Sequence, residues 1–181
     1  MLHQIRPLEA RPFTIEELRV PPTITAKGRT MKLAIGGDHA GFPIKGPVID
    51  FLRAQGHEVE DLGAHTPEPV DFPDIARLVC ESIRSGAADR GIMVCGTGVG
   101  ACIAANKIPG IRAALCHDTY SAHQCVEHDD VNVLCIGAWV VGIRVAEEIL
   151  RAFLAAEFST AEEFRRRVQK LAVLEQEAAS R

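Results

Sequence analysis

Residues 91–107, GIMVCGTGVGACIAANK, set a cysteine at the mouth of an apolar run and a glycine-rich turn directly after it. Gly91, Ile92, Met93 and Val94 read as a buried strand ending at Cys95, and Gly96, Gly98 and Gly100 as the turn. Residues 101–107 then have helical character. A thiol facing the N–H groups of a helix N-terminus is expected to favour its thiolate form, as a base or nucleophile near neutral pH requires. The same N–H groups can hold an oxyanion or a phosphate. The spacing Gly96-x-Gly98-x-Gly100 is not the GxGxxG of a dinucleotide turn, and no Gly-Lys-Ser/Thr closes it as a phosphate-binding loop. A buried, inert cysteine beside a tight turn is the competing reading.

The elements that must position Cys95 alternate. Strands are expected over 32–36, 59–62, 91–95, 112–116 and 131–137, and helices over 42–55, 74–85, 101–107, 119–127 and 144–156. That alternation predicts an α/β fold of three layers, α/β/α, with a five-stranded parallel Rossmann-like sheet covered on both faces. Sites in such sheets lie beyond the carboxyl ends of the strands. Those ends carry Asp38 and His39, Cys95 and Thr97, and His117, a clustering that favours a functional cysteine.

The 181 residues are 47% hydrophobic with a net charge of −4, which suits one domain with a sizeable core and appendages at both ends. We divide the chain into an N-terminal arm (1–30), a domain (31–158) and a helical tail (159–181). In the arm, Pro7, Pro12, Pro21 and Pro22 leave room only for a short helix over 14–20, with Thr14 and Glu17 as a capping box. In the tail, Phe164, Val168, Leu171 and Leu174 form a narrow apolar stripe suited to docking on the domain or on a second subunit. A mildly acidic chain is not expected to bind nucleic acid. No apolar run approaches the roughly 20 residues of a membrane span, and 1–13 contain no secretory apolar core. Six cysteines without framework spacing read as reduced thiols, hence a cytoplasmic protein. His117, His123, Cys125 and His128 match no standard zinc spacing, so no metal is expected.

With these residues in place, the chain resembles the ribose-5-phosphate isomerase B / galactose-6-phosphate isomerase family from Met31 to about Phe158. The matching pieces are IGGDHAG, VDFPDIA, CGTGVG with IAANK, GIRAALC, and EHDDVNVLCIG. The resemblance implies an aldose–ketose isomerase of sugar phosphates that works through a cis-enediolate without metal or organic cofactor. It implies Cys95 as the base moving the proton between C2 and C1. Some relatives use a glutamate just after the turn, but here that position is Ala101. The backbone from Gly96 to Gly100, with Gly98 between them, would form the anion hole, and Asp38, Thr97 and His128 would handle ring opening and hydroxyl protons. It further implies a homodimer or tetramer with sites between subunits, and substrate contacts at His39, Phe72, Asp129, Trp139 and Arg167.

Five positions depart from the family pattern. Trp139 stands where an arginine usually holds the phosphate. In Ala161-Glu-Glu-Phe-Arg-Arg-Arg167, Glu163 and Phe164 replace an arginine and a histidine, leaving Arg167. Asp129 replaces an asparagine, and Phe72 a tyrosine. Losing a charge-assisted hydrogen bond costs about 1.5–3 kcal/mol, so either other groups such as Arg144, Arg165 and Arg166 compensate, or the substrate is altered. Trp139 suits stacking on a sugar ring or packing in a subunit interface. The departures leave two further readings, an isomerase of a nonphosphorylated sugar and a half-site subunit of a heteromeric enzyme.

Overall fold

The computed structural model describes residues 30–180, so the helix expected over 14–20 lies outside the described residues. The elements are β1 (Lys32–Gly37), α1 (Phe42–Ala54), β2 (Glu58–Asp61), α2 (Phe72–Arg84), β3 (Arg90–Cys95), α3 (Val99–Ala105), β4 (Ala113–Leu115), α4 (Thr119–Asp129), β5 (Val133–Gly137), α5 (Ile143–Ala155) and α6 (Glu162–Ala179). All five strands are parallel, in the order β2-β1-β3-β5-β4. The expected α/β/α domain is therefore what the chain forms.

Period-2 alternation divides the core. Leu33, Ile35, Ile92, Val94, Leu134 and Ile136 face one side, where α1, α4 and α5 cover them with Val48, Leu52, Val126, Ile149 and Phe153. Ala34, Met93, Val133 and Cys135 face the other, under α2 and α3. The central strands β1, β3 and β5 are buried on both faces, which is why they read as continuous apolar runs, whereas the edge strands β2 and β4 stay partly exposed. Small residues let α2 approach closely: a Cβ on Gly36 or Gly91 would meet Val79 at 2.8 Å.

The observed boundaries lie within two residues of those expected, and two of the differences have a clear cause. α3 starts at Val99 rather than 101, because Gly98 adopts a left-handed conformation (φ 79°) and turns the chain straight into the helix. β4 is only three residues long, an edge strand paired with β5 alone. At the tail, α6 docks through Val168 and Phe164, and Glu175 accepts the Gly110 N–H at 3.0 Å. Leu171 and Leu174 remain 46% and 61% exposed, so only part of the expected stripe is buried within the chain.

Candidate active site

The chain steps from β1 outward to β2 and then back across to β3, so the strand order switches direction between β1 and β3. A crevice opens at such a point beyond the carboxyl ends of the two strands. Gly37 pairs in register with Val94, which makes the next residues, Asp38 and Cys95, neighbours. The Cys95 Sγ donates to Asp38 Oδ2 at 3.0 Å, and both side chains are buried. Asp38 Oδ1 accepts the Gly41 N–H at 2.9 Å, fixing the turn into α1. That turn tolerates no side chain at Gly41, where a Cβ would lie 2.0 Å from the Val94 carbonyl oxygen.

The electrostatics correct one expectation. Burial raises the Cys95 thiol above its ordinary range, with the bond to Asp38 and its charge acting in the same direction. The Gly98 and Gly96 N–H groups pull the other way, as the turn suggested, but they are outweighed. The resting group is a thiol donating to a carboxylate. Two other thiols are lowered instead, Cys102 on α3 to about 7, chiefly by the Cys135 thiol with Asn106 contributing, and Cys125 on α4 by the Cys116 thiol.

Two aromatic rings bracket the glycine turn. The Trp139 indole lies over Gly96, where a Cβ would be 2.8 Å from the ring, and Phe72 lies over Gly100, where it would be 2.9 Å away. Trp139 is anchored by its own N–H on the Gly96 carbonyl (2.9 Å), yet its side chain leaves it 74% exposed. Thr97 is exposed and its Oγ1 accepts the Val99 N–H at 3.4 Å, so one N–H of the expected anion hole is engaged within the turn. His117 is a structural link, its Nε2 accepting the Gly137 N–H at 3.0 Å. His39 is exposed beside Asp38 and lines a groove of about 490 Å³ with Pro69, Val70, Asp71, Asp74 and Ile75. Among the described residues no lysine or arginine lines that groove.

His128, Asp129 and Arg167 do not join this set. α4 runs antiparallel to the strands, from His117 at their carboxyl ends to β5 at their amino ends. At 1.5 Å per residue, its length sets His128 about 15 Å toward the opposite edge of the sheet. Arg112, just before β4, confirms the placement, its Nε donating to the Asp129 and Asp130 carbonyls at 3.1 and 2.7 Å. There the His128 ring stacks on Phe164 of α6, and Arg167 stands over the same phenyl ring. One chain therefore gathers Asp38, His39, Phe72, Cys95, Trp139 and the glycine turn at one edge, and the histidine and arginine at the other. Among the described residues no group of three or more His, Cys, Asp or Glu is arranged to hold a metal ion, and no helix is long and apolar enough to cross a membrane.

Sequence reasoning passed over Lys45. It sits with Val48, Ile49 and Leu52 on the buried face of α1, an unusual place for a lysine. Its Nζ donates to Asp61 Oδ1 and Oδ2 at 2.5 and 2.7 Å and to the Gly63 carbonyl at 2.6 Å. This anchor holds the end of β2 against the β1 turn that carries Asp38.

Fold and site together define an open, doubly wound α/β enzyme with a thiol–carboxylate pair at its switch point. The chain belongs to the ribose/galactose isomerase family, whose profile matches residues 33–171. It is 43% identical over 129 residues to the D-erythrulose-4-phosphate isomerase of Pectobacterium atrosepticum (71% of this chain, 85% of the relative). It is 41% identical over 145 residues to ribose-5-phosphate isomerase B of Escherichia coli (80% and 97%). Among solved structures, ribose-5-phosphate isomerase B of Clostridium thermocellum superposes with a TM-score of 0.80 at 46% identity, covering 82% of this chain and 99% of that one.

Proposed function

We propose that the protein is a cofactor-independent aldose–ketose isomerase of a small sugar phosphate, with Cys95 moving the proton between C2 and C1 through a cis-enediolate. The observation that carries this reading is the Cys95–Asp38 contact at 3.0 Å, facing the Gly96–Gly98 N–H groups at the strand switch point. Asp38 takes the thiol proton as substrate enters. The thiolate removes the proton from C2, the backbone donors hold the developing oxyanion, the hydroxyl proton passes from O2 to O1, and the thiol returns the carbon-bound proton to C1. Burial restrains ionisation until the oxygens of the substrate are in place.

The separation of His128, Asp129 and Arg167 from Cys95 supports a site completed by a second copy of the chain. One subunit gives the thiol and the glycine turn, and the other gives the ring-opening histidine and the arginine. The six unpaired thiols support a reducing, cytoplasmic setting, with Cys116 and Cys125 at 4.0 Å without a bond between them.

The relatives act on both four- and five-carbon phosphates by name. The indole over Gly96, and a groove without lysine or arginine, favour a shorter or less charged substrate than ribose 5-phosphate. The test is a kinetic comparison of erythrulose 4-phosphate, ribose 5-phosphate and unphosphorylated ribose with wild type and Cys95→Ala. Loss of the base should lower kcat by about 10²–10⁴-fold on whichever sugar is turned over. A variant with more than half the wild-type rate would exclude Cys95 as the base.

A further inference from the structure

Phe164 stands where the family pattern has a histidine, yet its ring is not idle. Its centroid lies 4.0 Å from that of His128 with the planes 16° apart, a stacked pair that joins α6 to α4. The Arg167 guanidinium lies 5.5 Å from the centroid of the same phenyl ring. On the His128 ring, Nδ1 meets Gln124 Nε2 at 2.7 Å, so Gln124 donates, Nδ1 accepts and the proton sits on Nε2. Nε2 has only a loose neighbour, Glu127 at 3.8 Å, whose carboxylate also meets His123 at 3.5 Å. Stacking holds the plane of the imidazole and Gln124 engages Nδ1, and among the described residues no ion-pair partner comes nearer Nε2 than 3.8 Å.

We infer that Phe164 is a positioning residue, holding His128 by ring stacking in the orientation that delivers its Nε2 proton to a sugar ring oxygen, and fixing Arg167 beside it. The inference rests on the isomerase reading above. A histidine at this position gives way to a flat apolar platform, so the tail contributes orientation where it loses a polar ring. Ring opening is needed only by a sugar that closes. A pentose 5-phosphate forms a furanose through its 4-hydroxyl, whereas an aldotetrose 4-phosphate has that oxygen esterified and stays open. The contribution of Phe164 therefore depends on the substrate.

The experiment compares wild type with F164L, which keeps apolar bulk for docking but removes the flat ring, and with F164Y and F164H, which keep one. Histidine ring resonances are assigned with His128→Asn, and kcat and KM are measured on ribose 5-phosphate and erythrose 4-phosphate. In wild type the His128 ring protons should lie upfield from the phenyl ring current. They should move downfield in F164L and stay upfield in F164Y and F164H. F164L should lose about tenfold or more in kcat on ribose 5-phosphate with KM within about twofold, and clearly less on the tetrose phosphate. Unmoved His128 resonances, or equal losses on both sugars, would overturn the inference. So would a wild type that turns over the tetrose phosphate alone. A wild type inert on both sugars would sink the isomerase reading instead, while the spectra still decide whether Phe164 orients His128.

Discussion

Cys95 and Asp38 share one hydrogen bond, through which the carboxylate acts on the thiol. The carboxylate raises the thiol, so neutralising it must lower the thiol. In Asp38→Asn, the thiolate absorbance assigned to Cys95 by subtracting Cys95→Ala should appear at lower pH than in wild type. Cys102, at about 7, contributes the earlier part of the titration in both proteins and cancels in the subtraction. An unchanged Cys95 titration would show that Asp38 does not control the base. The sequence placed this thiol at the end of a strand beside a glycine turn, and the structure keeps it there. What no local pattern shows is the partner, because Asp38 lies 57 residues away and meets Cys95 only through the parallel register of β1 and β3. For the same reason the sign of the pKa shift was misjudged. Helix-end donors are local and legible, whereas burial and a distant carboxylate are not.

At the scale of elements, the buried Arg90 ties the first residue of β3 to the end of α5. Its guanidinium donates to the Phe153 carbonyl and, at 2.8 Å, to the Ala156 carbonyl, taking up oxygens that the helix end leaves without partners. Arg90→Met keeps the length of the side chain and removes both donors. Stability should fall by about 3 kcal/mol, seen as a drop of about 6–12 °C in Tm, with kcat little changed because Cys95 lies at the other end of β3. A Tm within 2 °C of wild type, a small fraction of that ~6–12 °C, would show that water satisfies these carbonyls. The central strands β1, β3 and β5 were legible as apolar runs because both their faces are buried, and the helices from their period and length. Boundaries were less so. The start of α3 depends on a left-handed Gly98, and the shortness of β4 on its place at the sheet edge, which only the tertiary arrangement determines. The anchors, Arg90 and Lys45, were hidden because a charged residue in an amphipathic element ordinarily reads as solvated.

At the scale of the whole molecule, the direction of α4 decides what one chain can do alone. It holds Cys95 and His128 at opposite edges of the sheet, so an isomerase using both needs two chains. Mixed refolding of Cys95→Ala with His128→Asn should then restore activity. Random pairing makes half the dimers heteromeric with one intact site each, giving about a quarter of wild-type activity from two inactive parents. No recovery from a mixture of folded parents would contradict a shared site. Assignment of His128, Asp129 and Arg167 to the site came from resemblance, and their distance from Cys95 is invisible in a linear motif. The docking of α6 through Phe164, with Leu171 and Leu174 still exposed, is likewise a property of the assembled fold.

The central claim is that Cys95 exchanges a carbon-bound proton of a sugar phosphate. The most direct measurement is NMR detection of solvent deuterium entering C1 or C2 of erythrulose 4-phosphate and ribose 5-phosphate, for the wild type and for Cys95→Ala. Deuterium entering at least one phosphate with wild type, and none with the variant, is the predicted result. Exchange that persists in Cys95→Ala would contradict the thiol base, and no exchange of any sugar by the folded wild type would contradict the isomerase.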